Sequence, residues 1–248
     1  MKLPDAFPAA LADRCRSILW QATGLDPEQP DSWSQPVVRL GPFAGSFQQA
    51  ANTPRLHGAF DQLVGEGHWL PPRTLGTFPI RFPSFEDPGD TGWHIDVRFG
   101  TENPDFLQWR ANVSSRGRAL LMLFLFSDVG DGDAPTRIRT GSHRVIAQRL
   151  ALTGEEGLTL GELVADGIPQ TEDLPEIWAT GRAGTVYLCH PFLVHAGQQH
   201  CGKAPKITAQ PPLLPAEPLS LDRLDGDFSP VERAIREALD ECQLCASQ

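Results

Sequence analysis

The sequence ALLMLFLF, residues 119–126, is the longest apolar run in the chain. It is too short to cross a bilayer, because a membrane-spanning helix needs roughly 20 apolar residues. Alternate side chains of a strand point to opposite faces, so a strand that is apolar at every position has both of its faces covered. We therefore predict a central strand here, with protein packed on both sides of its sheet.

Further short runs, apolar or alternating, lie on either side of this strand, and each is bounded by Gly, Pro, Asp or Asn. They fall at residues 77–82, 92–98, 137–139, 185–188, 193–195 and 207–210. The chain also contains 23 glycines and 23 prolines, so turns are frequent. This composition favours a β-rich barrel or sandwich over a helical bundle. The predicted fold class is therefore mainly β.

Helices are predicted on both sides of this β-rich region. Over residues 8–22 apolar side chains recur at helical spacing, and Gly24 can end the helix. A second helix is predicted at 55–63, and a short one near 159–165, inside an excursion off the sheet at 153–180. The last helix begins at Ser229-Pro230-Val231-Glu232, which offers an N-cap, a proline at the first helical position and a capping-box glutamate. Its apolar stripe is expected to dock on the sheet.

Length and composition limit the classes of protein that this chain can be. Its 248 residues can bury a sizeable core, and no repeat or domain boundary is visible, so one domain over residues 1–248 is predicted. Residues 211–220 form a proline-rich connection to the last helix. The net charge of −10 argues against nucleic-acid and anionic-membrane partners.

The cysteines and the N-terminal stretch indicate a reducing compartment. Residues 1–15 contain no apolar segment, so no signal peptide is expected. The five cysteines have no framework spacing, and the C-x-x-C formed by Cys242 and Cys245 has no companion motif for a zinc or redox site. Free thiols and a cytoplasmic location are therefore predicted.

The motif that carries the chemistry is Gly92-Trp93-His94-Ile95-Asp96. In an extended strand, residues i and i+2 point to the same face, so His94 and Asp96 can aim an imidazole and a carboxylate at one point. These are two of the three ligands of a 2-His-1-carboxylate site, which leaves positions on Fe(II) open. Alone, the His-x-Asp pattern is common by chance.

A distant histidine strengthens this interpretation. Residues 184–197 have the pattern of a strand, a turn and a strand, and they contain His190 and His195. A barrel makes strands that are remote in sequence into neighbours, so a third ligand can come from here. His195 follows an apolar run and precedes small residues, whereas His190 precedes Pro191 and is expected to shape the turn. We therefore assign His195 as the third metal ligand, with His190 as the alternative.

The chain resembles the phytanoyl-CoA dioxygenase family in the order and spacing of four motifs. They are Trp-His-x-Asp at 93–96, Gly-Ser-His-Arg at 141–144, His-Pro-x-x-x-His-x-Gly at 190–197 and a basic residue before the strand at 207–210. The resemblance spans about residues 75–212. It implies a double-stranded β-helix, a jelly-roll or cupin-like barrel, with flanking helices at both ends. It also implies Fe(II) held by His94, Asp96 and His195.

The resemblance further implies that 2-oxoglutarate and O2 are co-substrates. The family places an arginine, or in related enzymes a lysine, where this chain has Lys206, to pair with the far carboxylate of 2-oxoglutarate. Thr185 and Tyr187 are candidate hydroxyl neighbours for that carboxylate, Arg81 is a second cation that could point inward, and Lys203 is a local competitor. Relatives that halogenate lack the carboxylate that Asp96 supplies here, so hydroxylation of a small organic substrate is expected.

Other features leave alternatives open. The arginines between residues 137 and 149 could form a basic rim for an anionic substrate or a salt-bridged surface. Trp93 could line the pocket or fill the core, and the acidic stretch at 128–133 is expected to be a plain turn rather than a Ca²⁺ loop. Two other functions also fit: a non-catalytic cupin-like module that binds metal or ligand, and a cupin dioxygenase that does not use 2-oxoglutarate.

Overall fold

The structure, a computed structural model, describes the backbone of residues 1–246 and the side chains of residues 1–241. The predicted C-x-x-C of Cys242 and Cys245 lies outside the described side chains. In chain order the strands are β1 Lys2–Leu3, β2 Val37–Leu40, β3 Trp69–Leu70, β4 Phe78–Arg81, β5 Arg110–Ala111, β6 Leu120–Leu125, β7 Arg137–Arg139, β8 Leu158–Thr159, β9 Glu176–Trp178, β10 Val186–Cys189, β11 His195–Ala196, β12 Thr208–Ala209 and β13 Pro212–Pro215. The helices are α1 Ala9–Thr23, α2 Ser46–Ala51, α3 Pro54–Val64, α4 Ser142–Ala151, α5 Leu160–Glu162 and α6 Pro230–Ala246.

Strand β6 is the centre of the largest sheet, and all of its residues are buried. It pairs antiparallel with β10, β12 and β13, and the sheet order is β1-β10-β6-β13-β3 with β12 also on β6. The two faces of β6 enter different clusters. Leu120, Met122 and Phe124 belong to the large core, and Leu121, Leu123 and Leu125 belong to a smaller one. The prediction of a central strand covered on both faces is confirmed.

Smaller antiparallel sheets complete the fold. Their orders are β11-β7-β9, β2-β4 and β5-β8. The structure is mainly β with helices around the sheets, which confirms the predicted class at this level. The sheets do not close into a barrel within the part of the chain that the structure describes. No helix among the described residues is both long enough and apolar enough to cross a membrane.

The flanking helices form where the local signals placed them. Helix α1 ends at Gly24, whose φ of 68° lies in the left-handed region that favours glycine. Helix α3 begins after Thr53, whose hydroxyl accepts a hydrogen bond from the backbone N–H of Leu56. At the start of α6 the Ser229 hydroxyl accepts from the N–H of Glu232, and the Glu232 carboxylate accepts from the N–H of Ser229, as predicted.

Three segments differ from their predictions. Helix α6 packs chiefly on α4 and α3 instead of docking on the sheet, and α4 itself was not predicted. The excursion after residue 153 contains β8 and returns to a sheet at β9, which pairs with β7. The proline-rich connection contains β13, whose prolines are accommodated because the strand makes only two paired contacts with each neighbour.

The segment 92–98 is not a regular strand. It makes one antiparallel bridge, between His94 and His195, because the partner strand β11 is itself only two residues long. The alternation expected of an extended segment is nevertheless kept, since Ile95 and Val97 are buried in the large core while His94 and Asp96 are only partly buried. The argument that placed His94 and Asp96 on one face therefore holds without a full strand.

Candidate metal centre and cavity

His94, Asp96 and His195 come together at one point. One ligand atom from each lies within 4.8 Å of the others, and this is the one group of such residues found among the described side chains. The backbone bridge brings the two histidines together: the N–H of His94 donates to the carbonyl of His195 at 3.0 Å, and the reverse bond is 2.9 Å. Their ring centroids are 4.4 Å apart.

Both imidazoles are oriented by a backbone carbonyl. Nδ1 of His94 lies 2.9 Å from the carbonyl oxygen of Gly92, and Nδ1 of His195 lies 3.0 Å from that of Leu193. A carbonyl oxygen can only accept, so each Nδ1 carries the proton and each Nε2 keeps a free lone pair. This is the arrangement in which a histidine serves as a metal ligand.

The neutral form of His195 is favoured by its surroundings. Burial, followed by the effect of His94, lowers the pKa of His195 to about 4, against an opposing effect of Asp96. A neutral imidazole is the form that binds a metal ion. His195 is therefore ready to act as a ligand at neutral pH.

The two carboxylate oxygens of Asp96 have different neighbours. Oδ1 lies 3.8 Å from Nε2 of His195, whereas Oδ2 lies 3.0 Å from Nη1 of Arg118. Burial would raise the pKa of Asp96, but Arg118 and then His195 and His94 outweigh it, so the pKa is lowered and the carboxylate stays ionised. Oδ1 thus faces the histidines while Oδ2 forms an ion pair with the guanidinium, a contact that lacks hydrogen-bond geometry.

Arg118 was not predicted as a site residue. Its side chain is nevertheless only 8% exposed and is paired with Asp96. The one available signal was its position directly before the buried run 119–126, where a charged side chain needs a partner.

His190 lies elsewhere. Its ring centroid is 4.8 Å from that of His143, and its Nδ1 accepts a hydrogen bond from the N–H of Phe192 at 3.2 Å. Burial, followed by the effect of His143, lowers the pKa of His190 to about 3. His190 therefore organises the turn before β11, the role that the sequence suggested for it.

His94 and His195 border a cavity of about 520 Å³, and two smaller cavities of about 220 and 200 Å³ lie elsewhere. Its size falls within the roughly 300–1,000 Å³ that is usual for small-molecule sites. Part of its lining is polar and includes Arg39, Arg81, Asp90 and Gln210. The other part is apolar and consists of Trp93, Phe106, Leu107, Leu160 and Val164.

A row of polar side chains runs from the sheet toward this cavity. Arg81 at the end of β4 makes an antiparallel bridge with Lys206, so their side chains share a face, and Thr208, two residues further, shares it too. All three are buried. Nη2 of Arg81 pairs with Oδ1 of Asp90 at 2.7 Å, but Nη1 of Arg81 and the Thr208 hydroxyl have no hydrogen-bond partner.

Lys206 is a buried amine that makes one of the three hydrogen bonds an ammonium can donate. Its Nζ donates to the carbonyl of Ala134, and an ammonium has two further protons to donate. Burial and the nearby Arg81 lower the pKa of Lys206 to about 7, against an opposing effect of Asp90. Lys206 does not itself line the cavity, whereas Arg81 does.

Thr185 and Tyr187 lie on and beside β10 and also do not line the cavity. The Tyr187 hydroxyl donates to the carbonyl of Thr180 at 2.7 Å, so its donor is already used. Thr185 is buried, and it lies so close to Gly181 that a Cβ there would come within 2.9 Å of the threonine hydroxyl.

The basic segment is largely engaged with protein. The guanidinium carbons of Arg137 and Arg139 lie 4.5 and 4.1 Å from the ring centroid of Trp93, which lines the cavity. Arg144 pairs with Glu237 and Glu241 of α6, and Arg149 pairs with Asp166. The salt-bridged alternative therefore fits this segment better than a free basic rim.

The acidic stretch at 128–133 is a turn. The Asp128 carboxylate accepts from the N–H of Ala183, and that of Asp133 accepts from the N–H of Gly130. These backbone bonds use oxygens that a Ca²⁺ ion would require. The expectation of a plain turn agrees with this arrangement.

Comparison with known proteins finds solved structures that share the fold. No protein-family model and no curated protein sequence matches the chain. Solved structures with a similar fold include the non-haem α-ketoglutarate-dependent carbocyclase SnoK from nogalamycin biosynthesis, with 15% identity over 93% of this chain and 81% of that one and a TM-score of 0.55. The epimerase SnoN from the same biosynthesis matches at 16% identity over 85% and 76%, with a TM-score of 0.53. HygX from Streptomyces hygroscopicus, solved with nickel and 2-oxoglutarate, matches at 17% over 85% and 80%, with a TM-score of 0.51.

At these identities the likeness establishes a shared fold. The predicted relationship to the Fe(II)- and 2-oxoglutarate-dependent enzymes is confirmed at that level.

Proposed function

We propose that the chain is an Fe(II)- and 2-oxoglutarate-dependent dioxygenase that hydroxylates a small organic molecule. One observation carries the proposal: two histidines and an ionised aspartate converge beside a cavity of about 520 Å³, whose lining includes the buried guanidinium of Arg81. The shared fold supports it, because SnoK and SnoN are α-ketoglutarate-dependent enzymes and HygX was solved with 2-oxoglutarate bound.

We infer that the sheets form the double-stranded β-helix of these enzymes, within one domain. Supporting this, the two faces of β6 enter separate clusters, and β10, β12 and β13 all pair with it. The free thiols of Cys15, Cys189 and Cys201 agree with a reducing, cytoplasmic compartment. The proposed partners are 2-oxoglutarate, O2 and a small-molecule substrate, without nucleic acid.

The donor set fits Fe(II). Two imidazoles and one carboxylate form the facial arrangement that non-haem iron oxygenases use, and it leaves positions for co-substrate and O2. The protein would hold the metal through Nε2 of His94, Nε2 of His195 and Oδ1 of Asp96. Together, iron and 2-oxoglutarate supply the oxidation of a substrate C–H bond by O2, with release of succinate and CO2.

Arg118 acts on the metal centre through Asp96. By holding Oδ2 at 3.0 Å, its guanidinium leaves Oδ1 as the oxygen that points toward the histidines. A partner that fixes a ligand in this way typically raises metal affinity as well as activity. Arg118 is therefore a positioning residue.

The polar row fits the far carboxylate of 2-oxoglutarate. Nη1 of Arg81, the Thr208 hydroxyl and the remaining protons of Lys206 are buried donors that an anion would satisfy. An unpaired buried carboxylate is costly, so a site with two cations on one face suits a dicarboxylate. We assign Lys206 and Arg81 to this role, with Thr185 and Tyr187 as more distant candidates.

The proposal is tested by adding Fe(II) and 2-oxoglutarate together without oxygen. An oxygenase of this class gives a weak metal-to-ligand absorption band, and on admitting O2 it releases succinate even without substrate. A non-catalytic module would give the band without succinate, and a cupin dioxygenase that needs no 2-oxoglutarate would give neither. The negative control is His195→Ala, which should not give the band. The matched variant is His190→Ala, which changes another buried histidine and should still give the band.

A further inference from the structure

We propose that the substrate is uncharged and has an apolar body, a ring or a chain, which lies against Phe106, Leu107 and Val164 beside the metal centre. This inference rests on the proposed function, and it goes beyond it by naming the substrate's chemistry and the residues that select for it.

The three side chains are apolar, exposed and gathered at one cavity. Phe106, Leu107 and Val164 are 46%, 49% and 44% exposed. All three line the cavity that His94 and His195 also line. Single exposed apolar residues are common on protein surfaces and need no explanation. A group of them lining the same cavity as a candidate metal centre indicates a binding surface.

The backbone holds these side chains in place. Phe106 and Leu107 lie on a 3-10 turn that starts at Asp105, whose carboxylate accepts from the N–H of Leu107 at 3.0 Å. The ring of Trp109 packs edge-on against Phe106 with centroids 5.1 Å apart. The exposure of Phe106 is therefore fixed by local contacts.

The segment that carries Leu160 and Val164 is joined to the turn that carries Phe106 and Leu107. The N–H of Leu160 donates to the carbonyl of Trp109 at 2.8 Å, and Gly161 lies so close that a Cβ there would be 3.3 Å from the carbonyl oxygen of Leu107. Helix α5 starts with a capping box at Thr159 and continues into a π-helical turn, Leu163–Gly167, that carries Val164. Such π turns occur frequently at functional sites.

The charges of the lining already have partners, which argues for an uncharged substrate. Asp90 pairs through one oxygen with Arg39 and through the other with Arg81. The remaining donors of Arg81 and Lys206 are assigned to 2-oxoglutarate. Both arginines of the described lining are then engaged, and an apolar body can cover Phe106, Leu107 and Val164 favourably.

A pair of fluorescent probes tests the substrate class. N-phenyl-1-naphthylamine is neutral, and 1-anilinonaphthalene-8-sulfonate is a closely similar anion. With Mn²⁺ and saturating 2-oxoglutarate present, so that the donors of Arg81 and Lys206 are occupied, we expect the neutral probe to bind the wild-type protein at least as tightly as the anion. The double variant Phe106→Ser, Val164→Ser should weaken binding of the neutral probe roughly tenfold or more, because each truncation removes apolar contact area. Both residues are exposed, so the fold should tolerate the changes.

Leu224→Ser is the matched control, since Leu224 is 106% exposed and lines none of the cavities found. Its affinity for the neutral probe should equal that of the wild type. Equal binding by the double variant and the control would overturn the proposal. Tighter binding of the sulfonate would also overturn it, because the site would then select an anion.

A distance measurement places the probe and separates this inference from the proposed function. Mn²⁺ bound by His94, Asp96 and His195 should enhance the relaxation of the neutral probe's proton signals, and Asp96→Ala should abolish the effect. If Mn²⁺ binds but does not relax the probe's proton signals, the substrate inference is contradicted and the proposed function is not. Failure of Mn²⁺ to bind the wild type would contradict the proposed function, and the fluorescence series would still decide whether the apolar surface binds ligands.

Discussion

At the scale of single residues, the decisive contact is between Arg118 and Asp96. Two histidines and an aspartate can be brought near one another in many proteins, but here the two carboxylate oxygens have distinct partners at 3.8 and 3.0 Å. That division gives Asp96 one orientation before any metal binds.

Replacing Arg118 should weaken metal binding. Arg118→Met removes the partner of Oδ2, and we expect Co²⁺ affinity to fall roughly 10- to 100-fold, as for other residues that orient a ligand. Arg118→Lys should recover part of the loss because it retains the charge. Calorimetry gives the affinity, and the Co²⁺ absorption spectrum reports whether the ligand geometry has changed.

The matched control is Arg116→Met, which alters an exposed arginine on the same loop. It should leave Co²⁺ affinity and spectrum as in the wild type. If Arg118→Met also leaves both unaltered, the guanidinium does not position Asp96 for the metal.

A second residue-scale prediction concerns the co-substrate. Lys206→Ala should raise the 2-oxoglutarate concentration for half-maximal succinate formation roughly 100-fold, because truncating one partner of a buried charge pair costs about 3 kcal/mol. Lys206→Arg should do less harm, since a planar fork keeps the charge but must fit a site shaped for a thinner chain. Iron binding should be nearly unaltered in both.

Lys203→Ala is the control, because Lys203 is exposed and nearby in sequence. If Lys206→Ala leaves half-saturation unchanged while Arg81→Ala raises it, the dicarboxylate pairs with Arg81 instead. The unpartnered Nη1 of Arg81 makes it the cation to test next.

At the scale of elements, the start of α6 is held by several contacts to one glutamate. The Glu232 carboxylate accepts hydrogen bonds from the N–H groups of Ser229 and Ser220 and pairs with Arg223 at 2.9 Å. It thereby ties the helix to the connection that precedes it. Helix α6 then packs on α3 and α4, so this cap also supports the helical layer.

Glu232 should make stability depend on pH in the acid range. Burial would raise its pKa, but Arg223 and the backbone donors outweigh burial and lower it below the ordinary 4.5. A group whose pKa is lowered on folding stabilises the protein above its unfolded value, and this contribution is lost as pH falls through the folded value. The free energy of unfolding should therefore decrease as the pH drops below about 4.5.

Chemical denaturation across this range provides the measurement. Glu232→Gln should lower the free energy of unfolding at pH 7 by about 1–3 kcal/mol, because it weakens charge-assisted hydrogen bonds, and its acid dependence should be shallower. Glu237→Gln changes an exposed glutamate on the same helix and should behave as the wild type. If the free energy of unfolding depends on pH in the same way for the wild type and Glu232→Gln, Glu232 is not the source of the acid dependence.

At the scale of the whole molecule, the fold does not determine the reaction. Proteins with this architecture include a carbocyclase and an epimerase as well as a 2-oxoglutarate complex. Function is set by sites on the fold. The proposal of hydroxylation therefore rests on the carboxylate of Asp96 and not on the sheet topology.

Much of the architecture could be predicted because it depends on local patterns. Continuous apolarity identified β6, helical spacing with Gly24 identified α1, and the capping box identified the first turn of α6. Helix α4 was missed because its start, Gly-Ser-His-Arg, has no strong capping signal and its basic residues mask the periodicity. Because α4 was not predicted, the packing of α6 on α4 could not be predicted either.

By itself, the sequence determined the chemical types at the site: the i, i+2 spacing of His94 and Asp96, and a histidine at the start of a late strand. The three-dimensional packing places His195, which the sequence already favoured over His190, beside them, and it alone pairs Arg118 with Asp96 and sets Arg81 beside Lys206. The physical reason is that spacing along one strand or helix is set by backbone geometry over a few residues. Pairing between strands that are far apart in sequence depends on how the whole chain buries its apolar faces.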